Sequence, residues 1–178
     1  LPIIFVTAGM NDAQLQFKGY TLGAVDYLIK PFEPHILKSK VKVFCELYSQ
    51  RKKLELAHQE QLFNTMREGY AHCRMYYENG QPRDYLYLKV NTAFEQLTGL
   101  KNVEGRKVSE VIPGLRESSP DFFEIFGRVA ATGNPELFES HVERLDRWFS
   151  ISVYSTEKEH FVCVFQDITE RRRSEQEL

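Results

Sequence analysis

Several signatures that would place a protein outside the ordinary globular classes are missing from this sequence. No apolar run approaches the ~20 residues that a membrane-spanning helix requires. The N-terminus also lacks a basic stretch followed by a signal-type apolar core. Neither sign of charge dominates: 23 Lys and Arg stand against 25 Asp and Glu, for a formal net charge of −2. That balance provides no general electrostatic footprint for nucleic acid or an anionic membrane. The basic run Arg171, Arg172, Arg173 is local and fits a solvated helix face. Cys45, Cys73 and Cys163 are odd in number and far apart, which argues against a disulfide framework and against paired zinc ligands. They are expected to be reduced, buried thiols. Catalytic signatures are missing as well: there is no Gly-rich phosphate loop, no nucleophile elbow and no His-Glu-x-x-His. These absences lead to the expectation of a cytoplasmic chain that is not an enzyme, holds no metal, and binds neither nucleic acid nor membrane.

What is present is enough apolar material, 42% of 178 residues, for the core of one or two domains. The chain opens on Leu1 and ends on Leu178 inside a helical pattern, so it reads as a piece of a longer protein. LPIIFVTA is short and β-branched, and predicts a strand buried on both faces. NDAQLQFKGYTLGA predicts a short helix, VDYLI a second buried strand, and the stretch from Glu33-Pro34 to Met66 a long helix with proline in its first turn. Strand, helix, strand, helix at this spacing predicts an α/β unit with parallel strands. On the long helix Val41, Phe44, Leu47 and Tyr48 share one face, while beyond Arg51 the apolar content thins to Leu54, Leu56 and Ala57. A core-packed start and an emerging connector follow; whether the connector pairs with a second copy stays open.

After Met66 the pattern changes to that of an α+β domain with a five-stranded antiparallel sheet. Two strand-like runs flank Asn79-Gly80, a strong hairpin signal, with Gln81 and Pro82 expected to lengthen the loop. NTAFEQLTG predicts a short helix capped by Asn91 and ended by Gly99. PDFFEIFGRVAATG predicts a second, with Phe122, Phe123, Ile125, Phe126 and Val129 on its apolar face. ELFESHVERL, RWFSISVYS and HFVCVFQDI read as three closing strands, and ITERRRSEQEL as a charged exit helix.

IIFVTA followed by GAVDYLIKPF resembles the C-terminal part of a response-regulator receiver domain. The resemblance implies phosphoryl-switch roles for Thr7, Tyr27, Lys30 and Pro31. An aspartyl phosphate attracts a compact ammonium and a hydroxyl donor, which Lys30 and Thr7 at adjacent strand ends would supply. A cis Lys30-Pro31 bond is expected. Neither Asp12 nor Asp26 matches the family's phospho-acceptor, so the receiver is read as truncated and lacking its acceptor.

YLYLKVNTAFEQLTGL, GRKVSEVIPG, RWFSISVYS and FQDITERR resemble a PAS domain in their order. This resemblance implies a pocket between sheet and helices, walled by Phe126, Val129, Phe149, Ile151 and Val164, whose small-molecule ligand is unknown. Haem and flavin are not expected: the helix before the third strand has no histidine, and Cys73 and Cys163 lie in apolar strand patterns. Arg128, Arg144 or His141 would pair with an anionic ligand if one pointed inward. Asp167 or Thr169 would cap the exit helix. The boundaries expected are 1–48 for the truncated receiver, 49–65 for a helical linker, 66–168 for the PAS domain and 169–178 for the start of a signalling helix. The implied function is a two-component phosphorelay fragment: a sensor that dimerises through helices or the PAS domain and relays conformational change to an effector. The alternatives are a ligand-free dimerisation module, or the regulatory part of a histidine kinase or cyclic-dinucleotide synthase.

Overall fold

The structure is a computed structural model that describes residues 3–7 and 24–176. It divides into two units, 1–59 and 60–178, with the division inside the long helix.

In the first unit β1 (Ile3–Thr7) and β2 (Ala24–Ile29) pair in parallel, from Ile3 opposite Ala24 to Thr7 opposite Ile29. The helix expected over residues 11–24, with Asp12, lies outside the described residues apart from Ala24, which opens β2. The Lys30–Pro31 bond is cis, as expected. Helix α1 (Pro34–Thr65) follows, with proline at its first position. Lys40 ties its second turn to Asp26 of β2 at 2.5 Å.

Two expectations fail in this unit. The strand expected to be buried on both faces leaves Ile3, Phe5 and Val6 exposed, although Leu28 of β2 is buried. The helix expected to be core-packed at its start has no buried residue, with Val41, Leu47 and Tyr48 all exposed. Cys45 is exposed too, which corrects its assignment as a buried thiol. The reason is area: among the described residues the sheet has two strands, too little surface to cover a strand's faces and a 32-residue helix.

The second unit begins with the hairpin β3 (Gly69–Glu78) and β4 (Gln81–Val90). Its turn is the two residues Asn79 and Gly80, both at positive φ (52° and 76°), the combination that matches the twist of the flanking strands. Gln81 and Pro82 therefore do not lengthen the loop but start β4. Because β4 is an edge strand, in the order β4-β3-β7-β6-β5, the proline's missing N–H need not break a ladder. Next come α2 (Thr92–Thr98), the short turns α3 (Val108–Val111) and α4 (Leu115–Ser118), and α5 (Pro120–Thr132). The strands β5 (Glu136–Val142), β6 (Arg147–Tyr154) and β7 (His160–Asp167) then lead into α6 (Thr169–Gln176). All neighbouring strands of this five-stranded sheet are antiparallel.

Strand alternation puts Ala71, Cys73 and Met75 of β3, Phe149, Ile151 and Val153 of β6, and Phe161, Cys163 and Phe165 of β7 into one core beneath the helices. Helix α5 lies so near the edge strand that a Cβ on Gly127 would stand 2.6 Å from Pro82 Cβ. Tyr77 spans the same contact, its hydroxyl donating to the Gly127 carbonyl at 2.7 Å.

Candidate functional site

The inward face of the sheet carries large rings at alternate positions. Tyr85 meets Tyr87 edge to face with centroids 5.4 Å apart, and meets Phe161 likewise at 5.5 Å. Phe165 meets Phe94 at 5.9 Å and Phe149 at 5.5 Å. Rings packed edge to face do not tile a volume completely. Between the sheet and the helices they leave a cavity of about 150 Å³. Its floor is Cys73, Tyr85, Tyr87, Ile151, Phe161, Cys163 and Phe165; α2 and the α3–α4 turns supply Phe94, Leu100, Ile112 and Leu115; Val142, Arg144 and Leu145 close one side.

Apart from Arg144, the polar groups on this lining are uncharged. The Thr98 hydroxyl donates to the Phe94 carbonyl at 2.7 Å and accepts from the Leu100 amide at 3.2 Å. Burial raises the Tyr85 and Tyr87 hydroxyls well above their ordinary range, so both stay neutral at neutral pH. Burial likewise pushes Cys163 up to about 12 and Cys73 well above the usual thiol value, so both remain thiols at neutral pH.

Of the five residues expected to wall the pocket, Phe149 and Ile151 line it. Phe126 and Val129 are buried in the adjoining core instead, Phe126 stacked on Phe161 at 4.9 Å, so α5 reaches the cavity through Phe122. Val164 is misassigned: it stands between Cys163 and Phe165, which face the cavity, and period-two alternation turns it to the opposite face of the sheet. Of the three candidate anion partners, Arg128 is held by Glu136 in a fork at 2.6 and 2.8 Å. His141 Nε2 lies 3.3 Å from Asp146. Arg144 alone of the three lines the cavity. Tyr85 and Tyr87 went unassigned from sequence, although DYLYL carries them at i and i+2, on one face of a strand.

In the first unit the parallel register brings Thr7 and Lys30 together at one end of the strand pair, where the Lys30 amide donates to the Thr7 carbonyl at 2.8 Å. Pro31 follows directly, and the side chain of Tyr27 lies outside the described residues.

The helices flanking the five-stranded sheet are fastened to it. Asn91 is almost completely buried. Its carbonyl oxygen accepts from the Phe94 and Tyr70 amides, both at 2.9 Å, and its amide group donates to the carbonyls of Glu68 at 3.0 Å and Phe63 at 3.3 Å. It thus caps α2 while tying the last turn of α1 to the start of β3. At the other end Thr169 gives its amide and hydroxyl to the Asp167 carboxylate, at 2.9 and 2.6 Å, and accepts from the Trp148 amide at 2.9 Å. Burial works against ionisation of Asp167, but the Thr169 hydrogen bonds and Arg147 at 3.3 Å bring it below the usual carboxylate range. Glu139 of β5 accepts from both Arg172 and Arg171, which hold it below that range as well. The Arg172 guanidinium also lies over the Trp148 ring at 4.9 Å. Among the described residues no helix is long and apolar enough to cross a membrane, and no cluster of three or more His, Cys, Asp or Glu is placed to hold a metal ion.

Comparison with known proteins places this architecture. No curated protein matches the chain. An RNA-binding light-oxygen-voltage receptor is similar in fold, with a TM-score of 0.50 at 18% identity over 70% of this chain; the match spans 36% of the receptor. A domain of an HTR-like protein from Haloarcula marismortui matches at 22% identity and a TM-score of 0.44, covering 58% of this chain and all of that domain (100%). The PAS domain of Bordetella pertussis BvgS matches at 15% identity and 0.44, covering 72% of this chain and 96% of that one. The family model described as PAS fold matches residues 83–173, which run from within β4 into α6 and include most of the cavity lining. With that match and this sheet order, the chain belongs to the PAS family.

Proposed function

We propose that this chain is a sensory relay: its PAS unit takes up a small molecule in the cavity, and the helices attached to the sheet pass the change to an effector. The observation that carries this reading is the cavity itself, about 150 Å³ of apolar space in an otherwise packed core. Interiors ordinarily pack to crystal density, and an unfilled void forfeits dispersion contacts. One side of the cavity is formed by Val142 at the end of β5, three residues after the Glu139 that holds α6. Filling the cavity therefore bears on the exit helix. Residues 1–48 are read as the C-terminal part of a receiver within a two-component phosphorelay. The convergence of Thr7 and Lys30 supports that reading, and Asp26, paired with Lys40, is a structural residue and not an acceptor. The chain would work in the cytoplasm as a homodimer without catalytic activity of its own.

Heat unfolding of the full chain with a panel of small apolar solutes tests the sensor reading. A ligand at a hundred times its Kd should add about 2.7 kcal/mol, and hydrogen exchange in α6 should change on binding. The variant Ala71→Leu, which intrudes on the cavity, should lose both effects; a panel with no stabilising solute would refute the sensor reading. Incubation with acetyl phosphate should leave the mass unchanged, and a phosphoryl adduct would refute the reading that this receiver part lacks its acceptor. A second reading, a ligand-free dimerisation module, is favoured by the exposed Val41, Leu47 and Leu54 on α1. It predicts that charge reversal at Leu47 weakens self-association without any ligand response.

A further inference from the structure

We propose that the PAS cavity is built for a small monocarboxylate, its apolar body about the size of a single aromatic ring and its carboxylate set against Arg144. The inference rests on the sensor reading above and goes further by naming the ligand class. An apolar cavity of about 150 Å³ in another protein accommodates benzene, and the cavity here has that volume. A ring or an equivalent branched chain fills it, and a fused ring system does not.

The polar requirement follows from which lining group carries a charge. Thr98 is engaged on both sides by backbone, and the Tyr85 and Tyr87 hydroxyls, kept neutral by burial, carry no charge to match an anion. Arg144 differs from these, since among the described residues it has no ion pair and no side-chain hydrogen bond. The neighbouring arginines are committed: Arg128 to Glu136, Arg147 to Asp167, and Arg171 and Arg172 to Glu139. The acidic residue that ends Arg144's own turn, Asp146, is directed to His141. Arg144 is also exposed while lining the cavity, so it stands where the cavity meets solvent. A ligand that buries an apolar body would thus leave its head group beside a planar, permanently charged donor fork suited to a carboxylate.

Titration of the full chain with phenylacetate, phenylacetamide and toluene, followed by calorimetry, tests the assignment. Because Arg144 is exposed, the pair is screened, and phenylacetate should bind about fivefold tighter than its amide. That preference should disappear in Arg144→Gln, survive in part in Arg144→Lys, and shrink with added salt. Equal affinity for phenylacetate and phenylacetamide, or an undiminished preference in Arg144→Gln, would overturn the carboxylate inference and leave the sensor reading standing. Failure of all three probes to bind wild-type protein would remove the sensor reading together with it.

Discussion

Replacing Asn91 by alanine removes four hydrogen bonds at the junction of α1, β3 and α2. Loss of a helix N-cap costs about 1 kcal/mol. The Tyr70 amide, next to a strand end, loses its acceptor as well, and a donor left unsatisfied costs about 1–3 kcal/mol. Together they put the loss at about 2–4 kcal/mol. The single tryptophan, Trp148, lies in the PAS unit, so its emission reports that unit's unfolding in urea. Asn91→Ala should lower the midpoint with an unchanged slope, since the surface exposed on unfolding is nearly the same. Asn91→Asp is the control. It keeps the acceptor for both amides and benefits from the helix N-terminus, but it turns lone pairs toward the Glu68 and Phe63 carbonyls. Its loss should be smaller and should shrink further at acid pH, where the protonated carboxyl donates again. A loss below about 1 kcal/mol for Asn91→Ala would mean that only the cap matters, and that Asn91 does not tie α1 to the sheet.

Gly127→Ala should cost about 1–3 kcal/mol through overpacking against Pro82, despite the ~1 kcal/mol that alanine gains in a helix; a neutral or more stable variant in the same urea assay refutes the close approach. A thiol reagent should label Cys45 at once and Cys73 and Cys163 only as the PAS unit unfolds, read by mass spectrometry; early labelling of either buried thiol contradicts the packing. His72 is lowered first by burial and then by the charge of His160 5.7 Å away, with Glu157 opposing. Between its folded value and the unfolded value of about 6.5, the unfolded chain binds more protons. Stability should therefore be fully present above that upper limit and fall as pH drops below it, and His72→Gln should flatten this slope.

The PAS unit was largely legible because each element carried its own signal. Asn79-Gly80 marks the hairpin, Asn91 and Gly99 bracket α2, and the period-two run RWFSISVYS fixes the faces of β6. Where the reading erred, a local signal met a non-local fact. Pro82 looks like loop until β4 is known to be an edge strand. Val164 is as apolar as Cys163 and Phe165, and one residue of register decides which face of the sheet it occupies. Phe126 and Val129 are core residues on a helix whose hydrophobic face is wider than the cavity, and sequence does not say which part of that face meets the void. The second task of Asn91, holding α1, depends on carbonyls at Phe63 and Glu68 that no motif brings near it. In the first unit the strand pattern predicted pairing correctly but not burial, because burial depends on neighbours that two strands do not provide.

Phe165 connects the pocket to both attached helices. Its ring lines the cavity. It also lies against Gly69, where a Cβ would meet the ring edge at 2.3 Å, so β3 can begin there only because that residue has no side chain. Gly69 pairs with Phe165 across the sheet, and its neighbour Tyr70 is the residue whose amide Asn91 holds together with the end of α1. Two residues beyond Phe165 in the other direction is Asp167, whose carboxylate caps α6 through Thr169. On the proposed sensor reading, a ligand that displaced this ring would be felt at the entry helix through Gly69 and Asn91, and at the exit helix through Asp167. Phe94 and Phe149 stand edge to face against the ring, so away from the cavity it has few directions in which to yield. On that reading the backbone of β3 and β7 would move with it at the ends where the helices attach.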